Sequence, residues 1–418
     1  MRKLLLLLLL PLHCFAQTNN YYVTVSGSDT NDGSQAHPWL TLQHAASSLV
    51  LGPRGSVVHV APGTYNSTFY CHIPGLVNAT TKVCLQKSGT ASQPIIFQSD
   101  QKWKAILTCP SSATGMFVLV ASYVQVVGFD MSCPTGGYAG ITAGDNGHNQ
   151  FLNNYIHDFG TSTCTSQGAI NGNSIPSGVT YRRIGHIVAS GNVIRHIGAD
   201  ANAPDHCNQQ HGIYFSEPYD VVTNNVISGV IGWGIHMYGG GICHQIVANN
   251  TVFNNSQGGI RVENVGSDGT HPDLCANGGT TDYENITNNI VVNNASGLGY
   301  TGQGGIDGRA AHVGSHNLYS NNLLYGNANF DISLYSPDVS ANQVAGTDAS
   351  VFQYYQDDPN WARASGYSYL NYALAPGSPA IRAGTFSCVS DVVLCPPTID
   401  IIGVPRTTDI GAFEFEPQ

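Results

Sequence analysis

The sequence predicts an all-β fold, a right-handed single-stranded parallel β-helix with a short N-terminal capping helix. Three observations carry that prediction. Paired asparagines recur inside apolar strands, as in "FLNNYI", "VVTNNVI", "IVANNTVF", "NITNNIVV" and "LYSNNLLY", with "VASGNVI" as a variant. A second string alternates with them, glycine (once Ala169) before isoleucine: "AGITAG", "QGAINGN", "HGIYFS", "WGIHMY", "GGIRVE" and "GGIDGR". Successive Gly-Ile strings stand 22 residues apart from Gly212 to Gly234 and 25 from Gly234 to Gly259, the length of one coil of several short strands. Helical periodicity is missing here, and glycine and β-branched residues are frequent, so one long helix is excluded. Leucine-rich repeats need a leucine consensus that is absent, and propeller blades need about 40 residues with antiparallel hairpins.

The elements follow in order. The opening "MRKLLLLLLLPLHCFAQ" has two basic residues, a leucine run and the small residue Ala16. It reads as a signal peptide over residues 1–16, cleaved near Ala16, with an apolar stretch too short to span a bilayer. His13 stands where a lipoprotein box wants a small residue, which argues against a lipid anchor. Residues 17–418 are then expected to form one exported β-helix domain. Its N-terminal cap covers about 21–65, where "TLQHAASSL" has apolar residues at helical spacing and "GPRG" ends it before the strand "SVVHVA". A helix over the first coil shields an open β edge. Regular coils run over about 140–335, stacking at about 4.8 Å. Asparagine at a fixed corner tolerates a left-handed backbone and can bond to the same asparagine one coil on. A closing segment occupies about 370–415.

Particular stretches carry a family resemblance. "YYVTVSGSDTNDGSQAHPWLTLQHAASSL" and "GSVVHVAPGTY" resemble the cap and first coil of secreted bacterial right-handed β-helix proteins of the pectate-lyase-like superfamily. "SGTASQPIIFQSD" and "YVQVVGFDMS" are similar to the next coils in that group, including the chondroitinase B and alginate lyase family, and "YALAPGSPAIRAGT" with "DIGAFEF" to its closing segment. The resemblance implies fold more than activity.

Only 10% of residues are charged, against about 25% in an average domain, while glycine numbers 48. Removing Arg2 and Lys3 moves the formal charge from -11 to -13. Nucleic acid and anionic membranes need a basic footprint and are not expected partners, whereas a polysaccharide is; a monomer is expected. Of eleven cysteines, ten remain without Cys14. In an oxidising compartment they read as disulfides, with close spacing favouring Cys71 with Cys84, Cys109 with Cys133 and Cys388 with Cys395.

Coil stacking places equivalent residues in columns. Aligned on Gly-Ile, the outward column reads Thr142, Asn171, Tyr214, His236, Arg261, Asp307, and the next outward one Gly144, Asn173, Ser216, Tyr238, Glu263, Arg309. Between them the inward column reads Ala143, Gly172, Phe215, Met237, Val262, Gly308. The first coils carry small neutral residues; the middle ones gather Tyr, His, Arg, Glu and Asp in a chain poor in charge. The 46 residues from Gly259 to Gly305 contain "NITNN" once and read as one coil with the inserted loop "VGSDGTHPDLCANGGTTDYEN". A second insertion, "GADANAPDHCNQQ", precedes His211. Two loops bordering one polar face make a cleft, with Cys207 and Cys275 as a candidate staple.

The leading functional reading is a polysaccharide lyase acting on an acidic, uronate-containing glycan. β-Elimination needs a group to neutralise the carboxylate, a base for the C5 proton and an acid for the leaving oxygen. Arg261 or Arg309 supplies the first, His236 or Tyr238 the second, and Tyr214 or His211 the third. Chondroitinase B-like lyases are associated with a lysine base, an arginine and calcium, yet no lysine lies beyond residue 105. Glu263 with Asn264 is the candidate Ca²⁺ site, since calcium wants oxygen ligands. The alternatives are a glycoside hydrolase using Glu263 and Asp307, and a non-catalytic polysaccharide-binding protein presenting Tyr214, Tyr238 and Trp233 to sugar. Trp233 equally suits a packed corner.

Overall fold

The computed structural model describes residues 18–73, 77–109, 115–133, 139–144, 147–159, 167–172, 185–198, 210–239, 242–264, 280–295, 303–309, 313–355, 369–385 and 397–415. The expected signal peptide, most of both insertions, and Cys207, Cys275, Cys388 and Cys395 lie outside the described residues.

The strands form three sheets of 11, 9 and 10 strands, each coil adding one strand to each. One coil runs through Val221–Thr223, Val226–Val230 and Trp233–Gly239, the next through Ile246–Ala248, Thr251–Phe253 and Gly258–Asn264. Their pairing is parallel throughout. An antiparallel hairpin, Phe69–Ile73 with Val77–Leu85, sits at the N-terminal end. This is the predicted parallel β-helix. Alternation sets its core: Ile235, Met237, Ile260 and Val262 are fully buried, while Arg261 and Glu263 on the same strand keep partial exposure.

The asparagine pairs divide two tasks that the sequence reading gave to one residue. The first of each pair takes the left-handed conformation, as at Asn153, Asn224, Asn249, Asn288 and Asn321, with φ of 54–58°. Gly191 does so in the "SGN" variant, with φ 70°. The second forms a buried ladder through Asn154, Asn192, Asn225, Asn250, Asn289 and Asn322. At Asn225, Oδ1 accepts from the backbone N–H and the Nδ2 of Asn192, and Nδ2 donates to Asn250 Oδ1 (2.9 Å) and to the Ala189 carbonyl (2.9 Å). All four side-chain hydrogen bonds of the amide are made, which is what burial demands.

Five residues before each such corner stands an aromatic ring. Tyr123, His148, His186, Tyr219, His244, Tyr283 and His316 stack face to face at 4.4–4.8 Å, with planes within 9° of parallel. The spacing is that of the coils themselves.

The short helix Leu42–Ser48 covers the first coil as expected, burying Leu42, Ala45 and Ala46, with Thr41 capping it by accepting from the His44 N–H. The C-terminal segment lies along the outer face of the 9-stranded sheet. Phe352, Tyr372, Leu374, Ile410 and Phe413 pack on Val193, Val226, Phe253 and Ile290. Ala412 N–H also donates to Thr251 Oγ1 at 3.0 Å. Cys71–Cys84 and Cys109–Cys133 are disulfides, and Cys243 is also disulfide-bonded. Among the described residues no helix is long and apolar enough to cross a membrane.

Candidate functional site

Strand register joins Thr142, Asn171, Tyr214, His236, Arg261 and Asp307 in one column of the 10-stranded sheet. Tyr238 stands beside Glu263. The coil that the sequence interrupts by its longest loop closes in register, Arg261 opposite Asp307. Asn173 and the side chain of Asn264 lie outside the described residues.

The centre of the face is a histidine pair. Trp233 donates its backbone N–H to His211 Nδ1 at 3.0 Å, so in neutral His211 the proton sits on Nε2. That nitrogen is 3.1 Å from His236 Nδ1 and donates to it, which places the proton of neutral His236 on its own Nε2. The residues are 5% and 8% exposed. Burial first, then the positive charge of Arg261, hold both imidazoles well below the usual histidine range, with His236 adding to the effect on His211. Both are therefore neutral at pH 7. His236 Nε2 is buried and has no hydrogen-bond partner among the described residues; Glu263 Oε2 is 3.8 Å away, beyond hydrogen-bond reach.

Around this pair the charges are matched. Arg261 Nη2 lies 2.7 Å from Glu263 Oε2, and its guanidinium sits 5.5 Å from the centre of the Trp233 indole. Asp307, 2% exposed, accepts from Arg309 Nε and Nη2, both at 2.8 Å. The Asp307 hydrogen bonds, partly opposed by desolvation, hold Arg309 above its ordinary pKa. Tyr214 stacks on His211 at 5.4 Å and meets His236 edge-on at 5.3 Å, with the Tyr238 ring 6.2 Å from its own. Burial and the Glu263 charge, partly offset by Arg261, raise the Tyr238 phenol above its ordinary value, so it stays protonated at neutral pH.

The strand register sets Tyr214, His236, Arg261 and Asp307 in one column with Tyr238 and Glu263 beside it, and the side-chain contacts depart from four of the expected roles. Trp233 is fully buried and presents nothing to sugar. It lies across Gly258, where a Cβ would come within 2.1 Å of the indole, and it supports Arg261. His211 is buried with both nitrogens engaged, so it cannot reach a leaving group. His236 carries its proton on Nε2, which makes that nitrogen a donor and not a base. Asp307 is held by Arg309 at two points and Glu263 pairs with Arg261, so each carboxylate of the expected hydrolase pair is engaged by its own arginine. Of the expected calcium pair only the Glu263 side chain lies within the described residues. A guanidinium occupies Glu263 Oε2, and among the described residues no group of three His, Cys, Asp or Glu is placed to hold a metal.

A second histidine cluster, which the sequence reading missed, lies on the 9-stranded sheet. His157 Nε2 meets Asp130 Oδ1 at 3.0 Å and Nδ1 meets Asp158 Oδ2 at 2.8 Å, while His196 Nδ1 meets Asp158 Oδ1 at 2.6 Å. Desolvation works against the charged imidazole, but the two carboxylates outweigh it and raise His157 above its ordinary pKa. The aromatic ladder was also missed. Its signal was available as a Tyr or His recurring five residues before the left-handed corner.

A family model described as protein of unknown function, DUF1565, matches residues 25–215, a span that ends on the strand carrying Tyr214. No curated protein matches the chain. Among solved structures, a rhamnogalacturonan lyase is 17% identical, with TM-score 0.47 over 82% of this chain and 94% of that one. A glycoside hydrolase is 8% identical, with TM-score 0.48 over 78% of this chain and 97% of that one. The crystal structure of pectate lyase Pel9A is 15% identical, covers 96% of this chain and 98% of that chain, and aligns with TM-score 0.56, so the two share the parallel β-helix fold over nearly their whole lengths.

Proposed function

We propose that this is an exported, carbohydrate-active β-helix protein whose polar face cleaves a uronate-containing polysaccharide by β-elimination. The observation that carries the reading is the unsatisfied Nε2–H of His236. A buried donor without an acceptor costs about 1–3 kcal/mol. It is tolerated where a ligand oxygen completes it, and the His236 ring lies against Tyr214 and Tyr238, beside the Arg261–Glu263 pair. Arg261 and Arg309 take the uronate carboxylate, and His236 donates to the oxygen on which charge grows as the C5 proton leaves. Glu263 removes that proton, and the Tyr238 phenol supplies one to the departing oxygen. Tyr214 offers an aromatic edge to the sugar ring. The leader-like N-terminus and the disulfides support export.

The charge pattern also favours a second reading, a non-catalytic binding surface. Each arginine already has a carboxylate, so an incoming uronate must compete with Glu263 for Arg261. The test is incubation of the secreted protein with alginate, pectate and glycosaminoglycans, following both the ultraviolet absorbance of unsaturated uronate and reducing ends. Absorbance lost in Arg261→Ala and His236→Ala supports the lyase. Reducing ends without absorbance overturn it in favour of hydrolysis, and binding without either product favours the binding surface.

A further inference from the structure

A separate cavity of about 310 Å³ opens at the N-terminal cap, between the helix Leu42–Ser48 and the first coils. Its lining includes Asp29, Thr41, His44, Phe69 and Lys82. Lys82, on the strand Val77–Leu85, is only 3% exposed. Its ammonium makes one hydrogen bond, Nζ to the Asn66 carbonyl at 2.7 Å, and no ion pair among the described residues. Asp29, in the same lining, makes no ion pair with it and is bonded elsewhere. Its Oδ1 accepts the backbone N–H groups of Leu40 and Thr41, both at 2.9 Å, and its Oδ2 accepts Thr41 Oγ1 at 2.7 Å. A buried ammonium with one neutral acceptor and two spare N–H groups is costly unless something anionic reaches it. Burial pushes the amine down to about 8, the direction expected of a cation without a partner.

We propose that this cavity binds a single acidic sugar, with Lys82 as the counter-ion of its carboxylate. The volume lies at the small end of ligand pockets, which suits a molecule of monosaccharide size. Hydroxyls of Thr41, Ser47, Ser67 and Thr68 line the walls, and Phe69, 44% exposed, gives the mouth an aromatic surface of the kind that packs on sugar rings. The site does not depend on the groove around His236 and would stand if elimination there were disproved.

The experiment is an NMR titration of protein carrying isotope-labelled lysine with galacturonate, galactose and inorganic phosphate. Galacturonate is expected to shift the Lys82 signal and raise the pH at which it titrates, while galactose leaves it unchanged. Lys82→Met, a near-isosteric change that removes the buried charge, should weaken galacturonate at least about tenfold. Ser67→Tyr, an exposed wall substitution that narrows the cavity and keeps the lysine, should weaken it similarly. A Lys82 signal indifferent to galacturonate overturns the site. An equal response to galactose overturns the counter-ion role, and tighter binding of phosphate overturns the assignment to a sugar acid.

Discussion

The two histidine clusters sit on adjacent sheets of one solenoid and have opposite electrostatics. His157 lies between two carboxylates, with both ring nitrogens engaged and its positive form favoured. His211 and His236 bond to each other and to a backbone N–H, are held neutral by burial and Arg261, and leave one N–H unanswered. The same residue type thus closes a polar network in one place and leaves it open in the other. In a repeat protein, where every coil supplies neighbours, an open valence on a buried side chain calls for an explanation, and here the neighbouring Arg261, Tyr214 and Tyr238 supply one.

The comparison breaks most readily at the open cluster. His236→Ala and Arg261→Ala should each lower uronate elimination by about 100-fold or more, the scale seen on removing one donor to a developing oxyanion, as read from unsaturated product. Substitutions at His157 should leave that rate unchanged. Glu263→Gln separates the two functional readings. Elimination should vanish while glycan affinity, measured calorimetrically, holds or rises, because Arg261 is released from its carboxylate. A loss of affinity instead would mean that Glu263 itself contacts the sugar.

Stability effects come next. Asn225→Ala removes a fully bonded ladder amide, leaves the Asn192 backbone N–H without its acceptor and takes one hydrogen bond each from Asn192 Nδ2, the Ala189 carbonyl and Asn250 Oδ1, so denaturant unfolding should show a loss of about 1–3 kcal/mol. His211→Phe removes the acceptor of the Trp233 N–H and the donor to His236 Nδ1. Nitrogen NMR should then find His236 no longer restricted to the Nε2–H form, a change that a purely packing role for His211 would not produce.

The smallest and sharpest test is pH. His157 is raised above its ordinary 6.5, so the folded state binds protons more tightly than the unfolded one. Its contribution is fully present below 6.5 and is lost as pH rises through the higher folded value. His211 and His236 are lowered below 6.5, so their contribution is present above 6.5 and is lost as pH falls. The stability gap between wild type and His157→Gln should therefore narrow towards alkaline pH. For His236→Gln, the wild-type advantage should narrow towards acid. Parallel behaviour of the two variants in thermal melts would remove the electrostatic distinction between the clusters.

Much of the site was legible before any coordinates. Aligning "HGIYFS", "WGIHMY", "GGIRVE" and "GGIDGR" on their Gly-Ile pairs placed Tyr214, His236, Arg261 and Asp307 in one column, and the strand register agrees. That worked because a parallel coil turns sequence offset into vertical position. The pairing of the charges was not legible. Arg261 has His236 and Asp307 as backbone neighbours, but its salt bridge is to Glu263 on its own strand, and Arg309 holds Asp307 from two residues away. Column position specifies which backbones are adjacent; side-chain torsions choose the partner.

The sequence by itself determined the coil, the corner asparagines, the cap helix and the polar column, since each follows from periodicity along the chain; close spacing suggested the Cys71–Cys84 and Cys109–Cys133 bridges, and the structure made the connectivity definite. Only the tertiary structure decided that Trp233 is buried beneath Arg261, that His211 stands behind His236 and dictates where its proton sits, and that Lys82 is buried with no counter-ion among the described residues. Burial, tautomer and ion pairing depend on atoms brought together from different coils, and their energies turn on ångström-scale distances in a low dielectric, which no periodicity records.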